Sequence, residues 1–184
     1  MATVYLLTGG PGTGKTTVIR RATAKSKVKA GGFYTEEIRS GGIRQGFRII
    51  TLDGHDAVLA HIDIPSRHRV GRYGVDMQNL DEVGVAALRR AVEESDLIVV
   101  DEIGKMELFS PRFREAVLQA IDSGKKVLGT IMLSPHAFAD EIKRHPKVKV
   151  LQISRANHDQ VLGEVTSWLE LTTDENKPQA NRQH

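Results

Sequence analysis

Near the start of the chain stands the stretch that decides the fold, Gly9-Gly10-Pro11-Gly12-Thr13-Gly14-Lys15-Thr16. It matches the phosphate-binding pattern G-x-x-x-x-G-K-[ST], the P-loop, at every fixed position. Glycines let the backbone turn tightly, so that successive N–H groups point inward and form a concave site for an anion. The pattern predicts that Lys15 contacts the β- and γ-phosphates of a nucleotide and that the Thr16 hydroxyl is a ligand for Mg²⁺.

The residues on either side of this loop support that interpretation. The apolar run Val4-Tyr5-Leu6-Leu7 precedes it and reads as a short buried strand. Apolar residues then recur at helical spacing, which predicts a helix from Gly14 to about Lys25, with Ala30-Gly31-Gly32 as its stop. The dipole of such a helix places its positive end at the phosphate. The alternative, a glycine-rich turn beside a solvated lysine, is disfavoured by this strand-loop-helix context.

Composition indicates a soluble globular chain with one domain over residues 1–171 and a polar, frayed tail over 172–184. Lys and Arg number 26 against 23 Asp and Glu, and this small excess gives no clear indication of nucleic-acid binding. There is no Cys, which excludes disulfides, thiol catalysis and cysteine-ligated metals. No apolar run approaches the roughly 18 residues of a membrane span. We therefore expect a cytoplasmic protein with no membrane partner.

Between the first helix and the next alternating segment, the pattern changes to short strands separated by turns. Residues 33–39, 46–52 and 57–62 read as strands, with Ser40-Gly41-Gly42 and Asp53-Gly54 as turns. Connections this short make neighbouring strands antiparallel. The sequence therefore predicts an antiparallel β-meander inserted at about residues 33–62.

An arginine-rich loop, Ser66-Arg67-His68-Arg69-Val70-Gly71-Arg72-Tyr73-Gly74, follows the meander. An arginine from this loop can reach the γ-phosphate and stabilise transition-state charge, and we include Arg72 among the candidate nucleotide contacts. A solvated surface loop is the equally weighted alternative. The local sequence does not distinguish which arginine would act.

Beyond the loop, strands and helices alternate. Apolar strands are predicted at residues 97–100, 127–131 and 148–153, and cap signals at Asn79, Ser110, Ser134 and Asn157 begin the intervening helices. Continuous apolar strands are typical of a parallel sheet that is buried on both faces. The predicted fold is α/β, a doubly wound and mostly parallel sheet with the meander inserted after the first helix.

A carboxylate pair directly follows the apolar strand at 97–100. A P-loop needs an acid to help hold Mg²⁺, and that acid usually ends an apolar strand, where Asp101 stands. Glu102 comes next and is predicted to accept a proton from an attacking water. An ordinary solvated turn is the alternative for such a pair, but the P-loop in the same chain favours the metal and base roles.

Asp101-Glu102-Ile103-Gly104 also fits the D-x-x-G pattern of switch GTPases. Those proteins normally carry N-K-x-D for guanine, and no such tetrapeptide occurs in this chain. A GTPase switch is therefore the weaker interpretation.

Four stretches carry a resemblance to a known family: Gly9-Gly10-Pro11-Gly12-Thr13-Gly14-Lys15-Thr16-Thr17, Gly32-Phe33-Tyr34-Thr35-Glu36-Glu37, Arg69-Val70-Gly71-Arg72-Tyr73-Gly74-Val75-Asp76 and Val100-Asp101-Glu102-Ile103-Gly104-Lys105-Met106-Glu107-Leu108. With them the chain resembles the P-loop nucleoside-triphosphatases first described from thermophiles, which are related to the animal cancer-related nucleoside-triphosphatase. The resemblance covers residues 3–171, and the last stretch is its most specific part.

The resemblance implies hydrolysis of several nucleoside triphosphates with Mg²⁺ and little base discrimination. It also implies a RecA-like sheet with an extra strand between the P-loop strand and the Asp101 strand. Nucleotide contacts are then expected at Gly9, Gly10, Pro11, Gly12, Thr13, Gly14, Lys15, Thr16, Thr17, Asp101, Glu102, Ile103, Gly104, Lys105, Arg72 and Asn157. The chain departs from the family near its end, where Asn157-His158-Asp159 stands in place of Asn-Arg-Asp.

The leading hypothesis is a Mg²⁺-dependent nucleoside-triphosphatase, in which Lys15 and Glu102 are catalytic and Thr16 and Asp101 hold the metal. A nucleotide or small-molecule kinase would use the same P-loop with a substrate hydroxyl in place of water. A nucleotide-controlled interaction protein with slow hydrolysis is a third possibility, although the sequence indicates no protein partner.

Overall fold

The computed structural model describes residues 1–171, so the tail predicted at 172–184 lies outside the described residues. Its strands are β1 (Val4–Thr8), β2 (Ala30–Ser40), β3 (Ile43–Thr51), β4 (Asp56–His61), β5 (Arg69–Val70), β6 (Tyr73–Val75), β7 (Leu97–Ile103), β8 (Lys126–Ile131) and β9 (Val148–Gln152). Its α-helices are α1 (Lys15–Lys25), α2 (Met77–Asn79), α3 (Ala86–Glu94), α4 (Pro111–Asp122), α5 (Ala137–Lys143) and α6 (His158–Glu170). A π-helical segment, Leu80–Val85, joins α2 to α3, and a 3₁₀ turn, Glu107–Phe109, precedes α4.

All of these strands belong to one mixed sheet in the order β5-β6-β4-β3-β2-β7-β8-β1-β9. Within the run β9-β1-β8-β7-β2, each pair of adjacent strands is parallel. From β2 onward the sheet continues in antiparallel pairs through β3, β4, β6 and β5. The strand β8 lies between the P-loop strand β1 and the Asp101 strand β7, as the family resemblance implies.

Helices cover both faces of the parallel part because its strands are apolar on both sides. In β1, Val4 and Leu6 belong to the apolar cluster that includes the buried faces of α3, α4 and α5. Tyr5 and Leu7 belong to the cluster on the opposite face, formed with α1 and α6. This confirms the predicted doubly wound α/β fold, since successive side chains of a strand point to opposite faces.

The predicted meander is present as β2, β3 and β4, but the role assigned to residues 30–32 was wrong. These residues do not merely stop the first helix; they begin β2 and pair in parallel with β7, with Gly31 opposite Ile98 and Gly32 opposite Val99. A methyl group at Gly32 would overlap the Val99 carbonyl. Gly32 is therefore needed for the close approach of two strands, whereas a methyl group at Gly31 would overlap the side chains of Ser95 and Ala91 at the end of α3.

The arginine-rich segment was predicted to be a loop, but it contains a short antiparallel hairpin formed by β5 and β6. Val70 pairs with Tyr73, and Ala60 in β4 pairs with Val75. Tyr73 and Val75 are buried, so this hairpin extends the sheet and adds to its core. Two-residue strands carry too little periodicity to be recognised from sequence.

The helix starts predicted from sequence were correct for α1, α4 and α6 and displaced in two other cases. The Ser110 side chain caps α4, and Pro111 is its first residue, as predicted. The cap before α2 is Asp76 rather than Asn79, and the cap before α5 is His136 rather than Ser134. Asn157 precedes α6, but its side chain makes no capping bond there. Local sequence offers several cap-forming residues, and only the tertiary path of the chain selects one.

Ser110 should contribute substantially to stability, because its hydroxyl accepts from the Phe113 N–H (3.1 Å) and donates to Asp81 (2.5 Å) while fully buried. We expect Ser110→Ala to reduce the free energy of unfolding by about 1–2 kcal/mol. Chemical denaturation would measure this. Ser123→Ala at the exposed end of the same helix is the matched control and should change stability by less than about 0.5 kcal/mol. Equal losses in the two variants would contradict the assignment.

Candidate nucleotide-binding site

The P-loop connects the carboxyl end of β1 to the first turn of α1. Gly12 and Gly14 have φ angles of 70° and 88°, a region in which residues with a side chain are strained. Gly9 packs so closely on Ile153 that a methyl group would overlap its carbonyl oxygen. The loop is thus held in a conformation that exposes the amino end of α1, where unpaired N–H groups and the helix dipole favour an anion.

The Lys15 ammonium lies back along this loop. Its Nζ donates to the carbonyl oxygens of Gly9 (2.8 Å) and Gly10 (2.9 Å). Another hydrogen bond within the loop runs from the Thr13 hydroxyl to the Gly10 carbonyl oxygen (2.9 Å). Because no acidic side chain is paired with Lys15 in residues 1–171, its charge is available to phosphate oxygens, which can replace the two carbonyl groups.

A hydrogen-bond chain joins the P-loop to the strand β7. The Thr16 hydroxyl donates to one carboxylate oxygen of Asp101 (2.7 Å). The Thr130 hydroxyl, from β8, donates to the other oxygen (2.6 Å). Asp101 is 3% exposed, and Thr130 is completely buried. The two threonines therefore hold the carboxylate in one orientation, facing the first turn of α1.

Burial raises the pKa of the Asp101 carboxyl, while hydrogen bonds from Thr130 and Thr16 and the charges of Arg20 and Lys15 oppose that shift. A buried carboxylate is costly unless it is paired. The donor set fits Mg²⁺, a hard cation that takes oxygen ligands and is usually held by one or two protein groups together with substrate phosphates. In the part of the chain that the structure describes, no group of three or more His, Cys, Asp or Glu side chains could hold a metal without such help.

Glu102 points its carboxylate toward the same site. Its side chain lies against Gly104, where an added methyl group would come within 2.9 Å of the Glu102 carboxyl carbon. Burial is the largest cause that raises the pKa of Glu102, followed by the neighbouring charge of Asp101, and Lys15 opposes both. The Glu102 side chain thus folds back over Gly104, which has no side chain to obstruct it. This places the Glu102 carboxylate in a poorly solvated position that suits a general base.

A cavity of about 450 Å³ opens beside these residues, and we call it the meander chamber. Lys15, Thr16, Asp101 and Glu102 line its phosphate end. The meander and hairpin supply a second wall: Thr35, Glu36 and Glu37 from β2, Phe47 from β3, Leu59 from β4 and Val70 from β5. The segments after β7 and β8 complete it with Lys105, Met106, Glu107, Met132 and Ser134.

Glu107 is as deeply buried as Asp101, with 3% of its surface exposed. Burial raises its pKa well above the ordinary range, and the charges of Glu102 and Asp101 raise it further. The backbone N–H groups of Glu107 and Gly104 oppose this shift. No basic side chain forms an ion pair with Glu107 in residues 1–171.

The structure brings most of the predicted residues together and leaves two of them apart. Lys15, Thr16, Asp101, Glu102 and Lys105 line the chamber, and the remaining P-loop residues precede them in the same turn. Arg72 does not line it; its guanidinium donates to the Arg44 carbonyl (2.5 Å) and to the Tyr73 hydroxyl (3.3 Å). Asn157 binds the backbone of Gln152 and Ser154 and so shapes the loop after β9.

Sequence reasoning did not identify four side chains around this site. Thr130 was predicted only as a strand residue, although a hydroxyl within an otherwise apolar strand was a usable signal. Glu107 gave no local sign of burial. Arg155 and His158 approach the P-loop from the loop after β9, with the His158 ring 2.7 Å from where a Gly14 side chain would begin and Arg155 3.8 Å from that position at Gly12.

Comparisons with known proteins agree with this geometry. The family model described as NTPase matches residues 4–166. The nucleoside-triphosphatase THEP1 of Thermotoga maritima is 48% identical over 170 residues, which is 92% of this chain and 97% of the relative. The human cancer-related nucleoside-triphosphatase is 38% identical, covering 92% of this chain and 98% of the relative.

Solved structures show the same likeness. The crystal structure of THEP1 from Aquifex aeolicus superposes with a TM-score of 0.84 at 37% identity, covering 91% of this chain and 99% of the other. The solution structure of a human cancer-related nucleoside triphosphatase gives a TM-score of 0.77 at 35% identity, covering 94% and 99%. None of the helices within residues 1–171 is both long and apolar enough to span a bilayer.

The buried Glu107 carboxyl should make the fold less stable as pH rises. Its folded-state pKa is raised, so between the unfolded value of roughly 4.3 and the folded value the folded state binds more protons, and stability falls with increasing pH. We expect Glu107→Gln to raise the melting temperature near about pH 8, with a difference that shrinks toward about pH 4. Thermal unfolding in EDTA without nucleotide measures this. The matched control, exposed Glu93→Gln, should show no such difference, and a pH-independent effect of Glu107→Gln would contradict the prediction.

Proposed function

The chain belongs to this nucleoside-triphosphatase family and is an enzyme of that kind, and we propose that it hydrolyses ATP, GTP and other nucleoside triphosphates to the diphosphate and phosphate with Mg²⁺. The observation that carries the proposal is the hydrogen bond between Thr16 and Asp101. It joins two residues 85 positions apart and brings the phosphate-binding helix terminus and a buried carboxylate to one point.

Thr16 and Asp101 would hold the metal, and Thr130 would keep the carboxylate oriented toward it. When bound, Mg²⁺ would neutralise charge on the β- and γ-phosphate oxygens. Lys15 would exchange its carbonyl partners for phosphate oxygens and stabilise the charge that develops there. These roles account for phosphate binding but not yet for the attack by water.

Glu102 is the group that would activate the attacking water. It lines the chamber beside Lys15 and Asp101, and its poorly solvated carboxylate can accept a proton as the water oxygen approaches phosphorus. A P-loop arrangement leaves little covalent chemistry to the protein, so positioning and charge stabilisation dominate the rate.

Broad nucleotide use is supported by three observations. The chain has no N-K-x-D tetrapeptide for guanine. The side chains nearest the outer side of the P-loop are Arg155 and His158, which can contact phosphate, ribose or any base. The relatives are also named nucleoside-triphosphatases rather than ATPases or GTPases. A panel of ATP, GTP, CTP and UTP, assayed with Mg²⁺ and with EDTA, tests this; release in EDTA, or use of one base alone, would contradict the proposal.

Replacing the proposed base should separate binding from turnover. We expect Glu102→Gln to bind nucleotide with nearly unchanged affinity and to release phosphate about 10²-fold more slowly, because the amide cannot accept the proton. Isothermal titration with ADP and a steady-state phosphate assay measure the two quantities. Turnover within a few-fold of the unaltered enzyme would remove Glu102 from this role.

Thr130 is expected to act on the metal through Asp101. Thr130→Val keeps the side-chain shape but removes the donor, and should raise the Mg²⁺ concentration needed for half-maximal activity by about tenfold or more. Thr130→Ser keeps a hydroxyl and should restore much of the difference. Mg²⁺ titrations at saturating ATP measure this, and identical midpoints for the two variants would rule out the positioning role.

A further inference from the structure

The meander chamber is much larger than hydrolysis requires. It measures about 450 Å³, whereas one water takes up roughly 30 Å³ of liquid volume. Small-molecule sites in proteins commonly measure roughly 300–1,000 Å³. Phosphate oxygens and Mg²⁺ would fill only the end formed by Lys15, Thr16 and Asp101. The remaining volume is sufficient for a second small molecule.

The nucleoside does not account for this volume. Of the P-loop residues only Lys15 and Thr16 line the chamber; in the P-loop pattern the lysine contacts the β- and γ-phosphates and the threonine hydroxyl binds Mg²⁺. The loop at Arg155 and His158 approaches the P-loop at Gly12 and Gly14, and neither side chain lines the chamber. The chamber therefore lies at the γ-phosphate end of the P-loop and not on the side of Arg155 and His158, and Glu102, the proposed base, is part of its lining.

The chamber walls combine an apolar surface with acidic groups. The apolar side chains are Phe47, Leu59, Val70, Met106 and Met132. Glu36 and Glu37 already pair with arginines, at 2.5 Å for Arg20 and Glu36. Glu107 has no basic partner in residues 1–171 although it is 97% buried, as its 3% exposure shows.

This wall disfavours an anionic occupant. A phosphate or carboxylate group beside Glu107 and Glu102 would raise the pKa of both carboxyls further in this poorly solvated space, and this opposes its binding. Lys105 also lines the chamber, but it is exposed, so solvent and salt screen its charge. A cation, in contrast, would give Glu107 the partner it lacks.

We propose that the meander chamber binds a small amphipathic amino alcohol, whose hydroxyl takes the γ-phosphoryl group in place of water. The ammonium pairs with Glu107, the carbon chain packs on Phe47, Leu59 and the methionines, and the hydroxyl lies at Glu102. This inference rests on the proposed function, because the same Glu102 and phosphate site act in both reactions.

The transfer step balances without another reactant. The hydroxyl oxygen forms a bond to the γ-phosphorus while its proton passes to the Glu102 carboxylate. The bond between that phosphorus and the oxygen bridging to the β-phosphate breaks, and its electron pair leaves with the diphosphate. The products are a phosphomonoester and a nucleoside diphosphate, and Glu102 returns its proton to solvent.

The test uses alcohols of matched length and different charge. The enzyme is incubated with ATP and Mg²⁺ and with ethanolamine, aminobutanol or aminohexanol, and ³¹P NMR separates phosphomonoester from free phosphate. Butanediol and hexanediol are neutral controls, and hydroxybutyrate and hydroxyhexanoate are anionic ones. We expect ester from at least one amino alcohol, less from the diol of equal length and none from the acid.

Two chamber variants locate the site. Val70→Phe should fill the chamber and suppress ester formation, whereas Val58→Phe, at an exposed position of the meander strand β4, should not. Glu107→Gln should raise the amino alcohol concentration for half-maximal ester formation by about tenfold and leave the diol unaffected. Melting curves verify that each variant is folded.

Phosphate release without added alcohol reports the hydrolytic function separately. If phosphate is released but no amino alcohol yields an ester, the second site is wrong and the proposed hydrolysis stands. Ester formation that is equal for amino alcohol and acid, or unchanged in Val70→Phe, also overturns the proposal.

Discussion

The site depends on one constraint, which is that a buried carboxylate must be satisfied. Asp101 is buried near the carboxyl end of β7, where an unpaired charge would cost several kcal/mol. Thr16 and Thr130 each donate one hydrogen bond to it, from α1 and from β8. Because those two donors come from separate elements, the carboxylate also ties the P-loop helix to the centre of the sheet. The hydrogen bonds that stabilise the buried Asp101 carboxylate therefore also assemble the site.

The order of the strands makes that interaction possible. β8 lies between β1 and β7, so the carboxyl ends of three parallel strands meet at one edge. The P-loop follows β1, Asp101 ends the regular apolar part of β7, and Thr130 stands near the end of β8. Ligands of open α/β sheets bind at this edge, because side chains and helix amino ends converge there.

The meander gives the same edge a second wall. Gly32 allows β2 to pack closely against β7, and Gly31 leaves room for Ala91 and Ser95 at the end of α3, so the antiparallel strands continue the parallel sheet instead of forming a separate layer. Their side chains then enclose space beside the γ-phosphate position. In that space burial raises the pKa values of both Glu102 and Glu107; the charge of Asp101 raises that of Glu102 further, and the charge of Glu102 raises that of Glu107. The acidic and apolar chamber beside the P-loop is the main feature that this site has in addition to the phosphate-binding loop itself.

The amino-acid sequence by itself determined the P-loop, the apolar strands and the antiparallel meander, and it predicted that Lys15, Asp101 and Glu102 lie in one site. These features follow from local backbone conformation and side-chain period, which nearby residues specify. It did not determine the hydrogen bond from Thr130, the burial of Glu107 or the distance of Arg72 from the phosphate site. It also did not show that Gly31 and Gly32 are closely packed residues of a strand and do more than end the first helix. Each of these depends on which strands become neighbours, and strand order is decided by packing between segments far apart in the chain.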